Sequence, residues 1–124
     1  MQTQKDGEKR RHPRFKIRSG VIAVVKSDAA HTLGQAVDVS QGGLALTYVA
    51  GLGSAVEEGT LDLFTSGGIW HLRDVPVRTA SDVEMPNDVP FSIVGMRRMG
   101  VAFGELTDTQ QRQLLGFIVE NRAN

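Results

Sequence analysis

The stretch that decides the fold is Gln35-Ala36-Val37-Asp38-Val39, then Ser40-Gln41-Gly42-Gly43, then Leu44-Ala45-Leu46-Thr47-Tyr48-Val49. Two short runs rich in apolar and β-branched residues flank a cluster of small and polar ones, the pattern of strand, turn and strand. The same texture extends in both directions. Upstream, Val21–Val25 is a near-continuous apolar run, which predicts a strand buried on both sides. Downstream, Leu61, Leu63 and Thr65 alternate with Asp62 and Phe64, and Ile69–Leu72 follows after Ser66-Gly67-Gly68. That reads as a hairpin, with Gly67-Gly68 suited to positive φ. Val75–Ala80 and Phe91–Val94 come next, separated by a polar segment containing Met85-Pro86-Asn87-Asp88, and Met99–Phe103 is the last strand. Six or seven short strands with turn signals about every ten residues predict an antiparallel barrel or sandwich. Closure into a barrel has the advantage of removing exposed edges.

One helix is expected, at the C-terminal end over residues 107–121. Thr107 with Gln110 three residues later fits a capping box, and Asp108 puts negative charge at the positive end of the helix dipole. Leu114, Leu115, Phe117, Ile118 and Val119 supply an apolar face, expected to close one mouth of the barrel or cover its flank.

With 124 residues, 40% of them hydrophobic and 23% charged, the chain fits a single ordinary globular core. No run approaches the roughly 18 apolar residues of a membrane span, and the N-terminus shows no apolar signal core, so no membrane insertion is expected. Cysteine is absent, which excludes disulfides and thiolate zinc sites and fits a cytoplasmic location. The formal net charge is zero but unevenly spread: residues 1–18 hold seven basic side chains against two acidic ones, a net of +5, and the remainder carries −5. A basic arm on an acidic body suggests an anionic partner, or else a solvated tail.

Catalytic signatures are missing. His12, His31 and His71 are dispersed, and no nucleophile elbow, P-loop or dinucleotide fingerprint occurs. Asp62 and Glu57-Glu58 read as a solvated hairpin end, and Trp70 as core or half-core on its strand. Met85, Met96 and Met99 read as gap-filling core or loop residues. The expectation is a protein that is not an enzyme and needs no cofactor or metal.

Two segments carry the chemistry. The first is Arg10-Arg11-His12-Pro13-Arg14, an R-x-x-x-R spacing where the tail meets the first strand. Pro13 biases His12 to an extended conformation, so the arginines are presented from a stiffened arm. Guanidinium offers a fork of donors for phosphate oxygens or a guanine edge, and a flat face that stacks on a base. The second is Asp38-Val39-Ser40-Gln41-Gly42-Gly43, a D-x-S-x-x-G between two strands. A carboxylate accepts from the amino and imino hydrogens of guanine, a pairing unavailable to adenine. A serine hydroxyl can hold the turn, and glycine lets backbone approach a ligand closely. Asp38 and Ser40 could equally build an Asx-type turn, and Gly42 is assigned to turn geometry. Arg78, Arg97 and Arg98 fall on or near later strands, either lining the site or facing solvent.

The two motifs, in this order and with 24 positions from Arg14 to Asp38, resemble those of the PilZ domain family, whose members bind the bacterial second messenger cyclic di-GMP. The resemblance extends over roughly residues 8–122 and includes Gly100-Val101-Ala102-Phe103, Leu106-Thr107-Asp108 and the terminal helix. It implies a six-stranded antiparallel β-barrel with one C-terminal helix. It also implies a flexible tail over residues 1–8 and a single domain over 9–124, with a ligand-binding arm at 9–18 and the barrel at 19–105. By position, Arg10 and Arg14 would contact phosphates and guanine faces or edges, and Asp38 and Ser40 a guanine edge. Gly43 would permit close backbone approach, with Arg11 as an auxiliary contact.

The expected function is a non-enzymatic cyclic di-GMP receptor that signals to a separate effector protein by ordering of the arm. Motility, adhesion or secretion machinery is the kind of effector the family suggests. The alternative is an interaction module of the same fold that does not respond to nucleotide. A general nucleic-acid binder would be hindered by Asp38 beside an anion site, and no DNA partner is expected.

Overall fold

The computed structural model describes residues 12–28, 30–50, 57–65, 67–86 and 95–123. Its elements are β1 (Phe15–Lys16), β2 (Val21–Lys26), β3 (His31–Val39), β4 (Gly43–Val49), β5 (Glu58–Thr65), β6 (Trp70–Glu84), β7 (Met96–Phe103) and the helix α1 (Asp108–Asn121). Every pairing is antiparallel. Around the ring the order is β3, β2, β5, β6, β7 and β4, and β4 pairs back onto β3. Six strands therefore close a barrel, with the short β1 outside the ring. β2 pairs with β3 only over residues 31–35, and β1 takes the same edge further along, against Asp38 and Val39.

Period-two alternation fills the interior. Val21, Ala23 and Val25 of β2, Leu44 and Leu46 of β4, Leu61 and Leu63 of β5, and Met99 and Val101 of β7 are buried in one cluster. Burying each large side chain contributes about 1.5–3 kcal/mol, which replaces any need for disulfides. The near-continuous run Val21–Val25 is not buried on both faces: Ile22 and Val24 point outward and are half-covered. Their neighbours across the strands include Leu33, Phe64 and, next to Phe64, Trp70, so the outer wall here is itself apolar. That outer apolar row hides the alternation from a reading of the sequence.

The hairpin between β5 and β6 forms as expected. The Thr65 amide donates to the Ile69 carbonyl at 3.0 Å, and Gly68 turns with φ 86°. Beyond it, Trp70–Leu72 of the expected run Ile69–Leu72 and all of Val75–Ala80 belong to one strand of 15 residues, continuous through an irregularity at Asp74, which adopts φ 57°. Asp62 is not a solvated hairpin end. It is buried, its carboxylate accepting from the Lys26 ammonium at 2.7 Å and from the Asp74 amide at 2.8 Å. Glu57 and Glu58 are exposed. Trp70 is not core: it lies on the outer wall, tilted on Phe64 with ring centroids 4.6 Å apart and covered by the Arg73 guanidinium. The expected strand Phe91–Val94 lies outside the described residues.

The helix begins with the capping box: Thr107 Oγ1 accepts from the Gln110 amide, and Gln110 Oε1 from the Thr107 amide, both at 3.0 Å. Leu114, Phe117 and Ile118 join the barrel core, and Phe117 packs on His71 of β6. Leu115 and Val119 are exposed, because the buried stripe follows the 114, 117, 118, 121 spacing and leaves them on the far side. The C-terminal end of α1 is stitched to the segment after β1. Arg18 donates its amide to the Asn121 carbonyl at 2.9 Å, and Ala123 to the Lys16 carbonyl at 2.7 Å.

Candidate functional site

The register of β1 on β3 brings the arm to the turn. Phe15 faces Val39 and Lys16 faces Asp38, so Arg14, the residue before Phe15, and Ser40, the residue after Val39, leave the same end of this pairing. Arg14, Asp38, Ser40 and Gly43 line a single open cavity of about 590 Å³. That size falls in the range of small-molecule sites. Arg10 and Arg11 lie outside the described residues.

The turn is held by its own hydrogen bonds. The Ser40 amide donates to the Gly43 carbonyl at 2.8 Å, and the Gly42 amide donates to Ser40 Oγ at 3.0 Å. Accepting that bond leaves the Ser40 hydroxyl proton able to donate elsewhere. The Gly42 carbonyl receives the Phe103 amide at 2.9 Å, which ties the turn to β7. A Cβ on Gly43 would overlap the Val101 carbonyl oxygen, so it is the approach of β7 that requires a bare position there.

The floor of the cavity is the outer face of β4, β7 and β6. Ala45 pairs with Gly100, and Gly100 with Ser81; Gly43 pairs with Ala102, and Ala102 with Arg78. Gly43, Ala45, Gly100 and Ala102 carry almost no side chain where a solvated barrel wall would be polar, leaving a shallow platform. Around it stand charged groups that the motifs did not include. Arg78 and Arg98 line the cavity, and His12 closes its arm side. Arg98 donates from Nη2 to Asp38 Oδ2 at 2.5 Å. Three arginines against one carboxylate leave a surplus of two positive charges, suited to a dianion.

Of the three later arginines, Arg97 does not reach the cavity. It donates from Nε to Asp82 Oδ1 at 2.9 Å, and the Tyr48 hydroxyl donates to the same carboxylate at 2.7 and 2.8 Å. Burial first, and then the Asp82 hydrogen bond, push the Tyr48 phenol above its ordinary value. Two signals in the sequence could have revealed the rest of the site. One is the run of tiny residues at alternate positions, Gly100 and Ala102 on β7 and Ala80 on β6. The other is that Arg98 shares their side of β7.

Among the described residues no group of His, Asp or Glu could hold a metal ion, and no helix is long and apolar enough to cross a membrane.

A sequence model of the PilZ domain matches residues 8–120, and the chain belongs to that family. The fold is similar to the PilZ domain of YcgR from Escherichia coli with c-di-GMP, at TM-score 0.66 and 16% identity over 90% of this chain and 89% of that one. It is likewise similar to the MrkH–c-di-GMP complex of K. pneumonia, at TM-score 0.65 and 14% identity over 95% of this chain and 52% of that one. For YcgR of E. coli in complex with c-di-GMP the TM-score is 0.63 and the identity 18%, over 90% of this chain and 45% of that one. The chain thus spans about half the length of these last two proteins. Comparison with curated protein sequences gave no match.

Proposed function

We propose that the protein is a non-enzymatic receptor for cyclic di-GMP. The observation that carries this reading is that residues of both motifs, Arg14 on one side and Asp38, Ser40 and Gly43 on the other, line one cavity with a surplus of positive charge. The relatives of the same fold that were solved with c-di-GMP support it. Arg14, with Arg10 and with Arg11 as an auxiliary, supplies guanidinium forks to the phosphates and flat faces to the bases. Asp38 accepts from a guanine edge, and the Ser40 hydroxyl, already held by Gly42, donates to an anionic oxygen. The bare platform of Gly100, Ala102 and Ala45 lets a planar base lie against the barrel wall.

Binding and not turnover is the output. The dinucleotide bridges the basic arm to the turn, charge-assisted bonds offset the entropy of ordering the arm, and the new surface is read by a separate partner protein. Calorimetric titration with cyclic di-GMP tests the reading. Micromolar or tighter binding is expected, about −8 kcal/mol or better. Arg14→Ala and Asp38→Ala should each weaken it at least tenfold while leaving the melting temperature of the protein within a few degrees. Parent-like binding by both variants overturns the site. Arm ordering is checked separately by amide exchange, and unchanged protection around Arg14 on adding ligand rejects it.

A further inference from the structure

Asp38 does not stand alone in the cavity. Arg98, on β7 and 60 residues later in the chain, grips one of its two carboxylate oxygens, and among the described residues Asp38 Oδ1 has no partner and the Arg98 guanidinium makes no other hydrogen bond. Both side chains line the same space, Asp38 the more buried of the two. We infer that Asp38 and Arg98 form one compound recognition group that selects guanine, Arg98 reading the base and not merely adding positive charge. This rests on the reading of the cavity as a cyclic di-GMP site.

The geometry supplies the logic. Along the row Oδ1, Oδ2 and guanidinium N–H, the pair presents acceptor, acceptor and donor. The Watson–Crick edge of guanine presents the complement: the N2 amino and N1 imino hydrogens as donors, and O6 as acceptor. Adenine placed the same way turns the N1 lone pair toward the carboxylate and the N6 amino group toward the guanidinium, two like-against-like contacts. A buried group left facing its own kind loses its hydrogen bonds to water without replacement, which is how a polar site rejects a near-isostere. Arg78, across Ala102 on β6, lines the cavity without contacting Asp38 and so serves as the charge control.

The test titrates cyclic di-GMP and cyclic di-AMP, the latter to millimolar concentration by competition, into the full chain, Arg98→Ala and Arg78→Ala. The parent is expected to prefer the guanine ligand. Arg78→Ala should weaken both ligands by a similar factor. Arg98→Ala should weaken the guanine ligand the more, narrowing the preference about tenfold, or 1.4 kcal/mol. Arg98→Met repeats the measurement with the aliphatic stem retained, should the alanine variant melt early. An equal loss for both ligands in the Arg98 variants, or no loss, overturns the inference while the receptor reading stands. A parent that binds neither ligand overturns the receptor reading itself.

Discussion

Asp62 offers a test of how the barrel is held that is independent of the cavity. Its carboxylate lies on the outer side of β5, beneath Lys26 of β2, and it accepts the backbone amide of Asp74, whose φ of 57° lies in the left-handed region. Asp62→Ala removes both bonds. A hydrogen bond to an ionised group contributes about 1.5–3 kcal/mol, and because Asp74 is exposed, water can reach the freed amide, so the lower end, about 1.5 kcal/mol, applies. The Lys26 ammonium is solvated and adds little. For a chain of this length the expected fall in melting temperature is about 6 °C. Asp62→Asn keeps an acceptor for the Asp74 amide and should lose less. Urea unfolding should show a lower midpoint with an unchanged slope. The Asp62 hydrogen bond holds the Lys26 pKa above its ordinary 10.5. The folded state therefore retains a proton that the unfolded state gives up, and this contribution is present in full below pH 10.5 and lost as pH climbs through the raised value. β2 and β5 stand across the ring from β7 and β4, so cyclic di-GMP affinity should not change. An Asp62→Ala protein that unfolds at the parent's midpoint would refute the reasoning.

Tyr48 makes a second pH-dependent contribution. Its raised pKa means that stability falls as pH rises past 10.0, and Tyr48→Phe should show a shallower decline there in thermal melts, Lys26 accounting for what remains. Gly43→Ala should destabilise the barrel by about 1–3 kcal/mol in urea titrations without ligand, because the added methyl overlaps the Val101 carbonyl; an unchanged midpoint would return Gly43 to a purely ligand-facing role.

Strands and helix were readable from the sequence where one face is buried and the other solvated. β4, the β5–β6 hairpin with its turn at Gly68, and the Thr107 capping box follow from local chemistry alone. The reading failed where both sides of an element carry apolar residues. Ile22, Val24, Phe64 and Trp70 share an outer wall, so β2 looked fully buried and Trp70 looked like core. Leu115 and Val119 likewise widened the apparent apolar stripe of α1. Asp62 could not be foreseen as buried, because its cover depends on the backbone at Asp74, 12 residues on. At the candidate site, Arg14, Asp38, Ser40 and Gly43 were readable because each motif is local. Arg78, Arg97 and Arg98 could be named only together, as lining the site or facing solvent, and the contact of Arg98 with Asp38 was not readable, because it exists only after β4 has brought β7 alongside β3.

The location of the cavity follows from how the ring is filled. Leu46, Leu61, Leu63, Leu72 and Met99 occupy the interior with essentially no exposure, so a ligand the size of a dinucleotide has no room inside. It must lie on the outer wall, and a wall alone is too flat to enclose it. Two departures from an ordinary barrel surface make the difference. Small residues lower the floor at Ala45, Ala80, Gly100 and Ala102, and the arm raises a side wall at His12 and Arg14. The arm can stand there because β2 leaves the edge of β3 after Gln35 and frees it for β1. Ile17 continues the attachment, its amide donating to the Val37 carbonyl at 3.0 Å, while Lys16 and Arg18 bond the exit of α1. A dinucleotide drawn against Arg14 would therefore pull on a segment bonded on one side to the strand that carries Asp38 and on the other to the end of the helix. In the proposed receptor, that shared segment is the physical link by which an event at the cavity reaches a surface a partner could read.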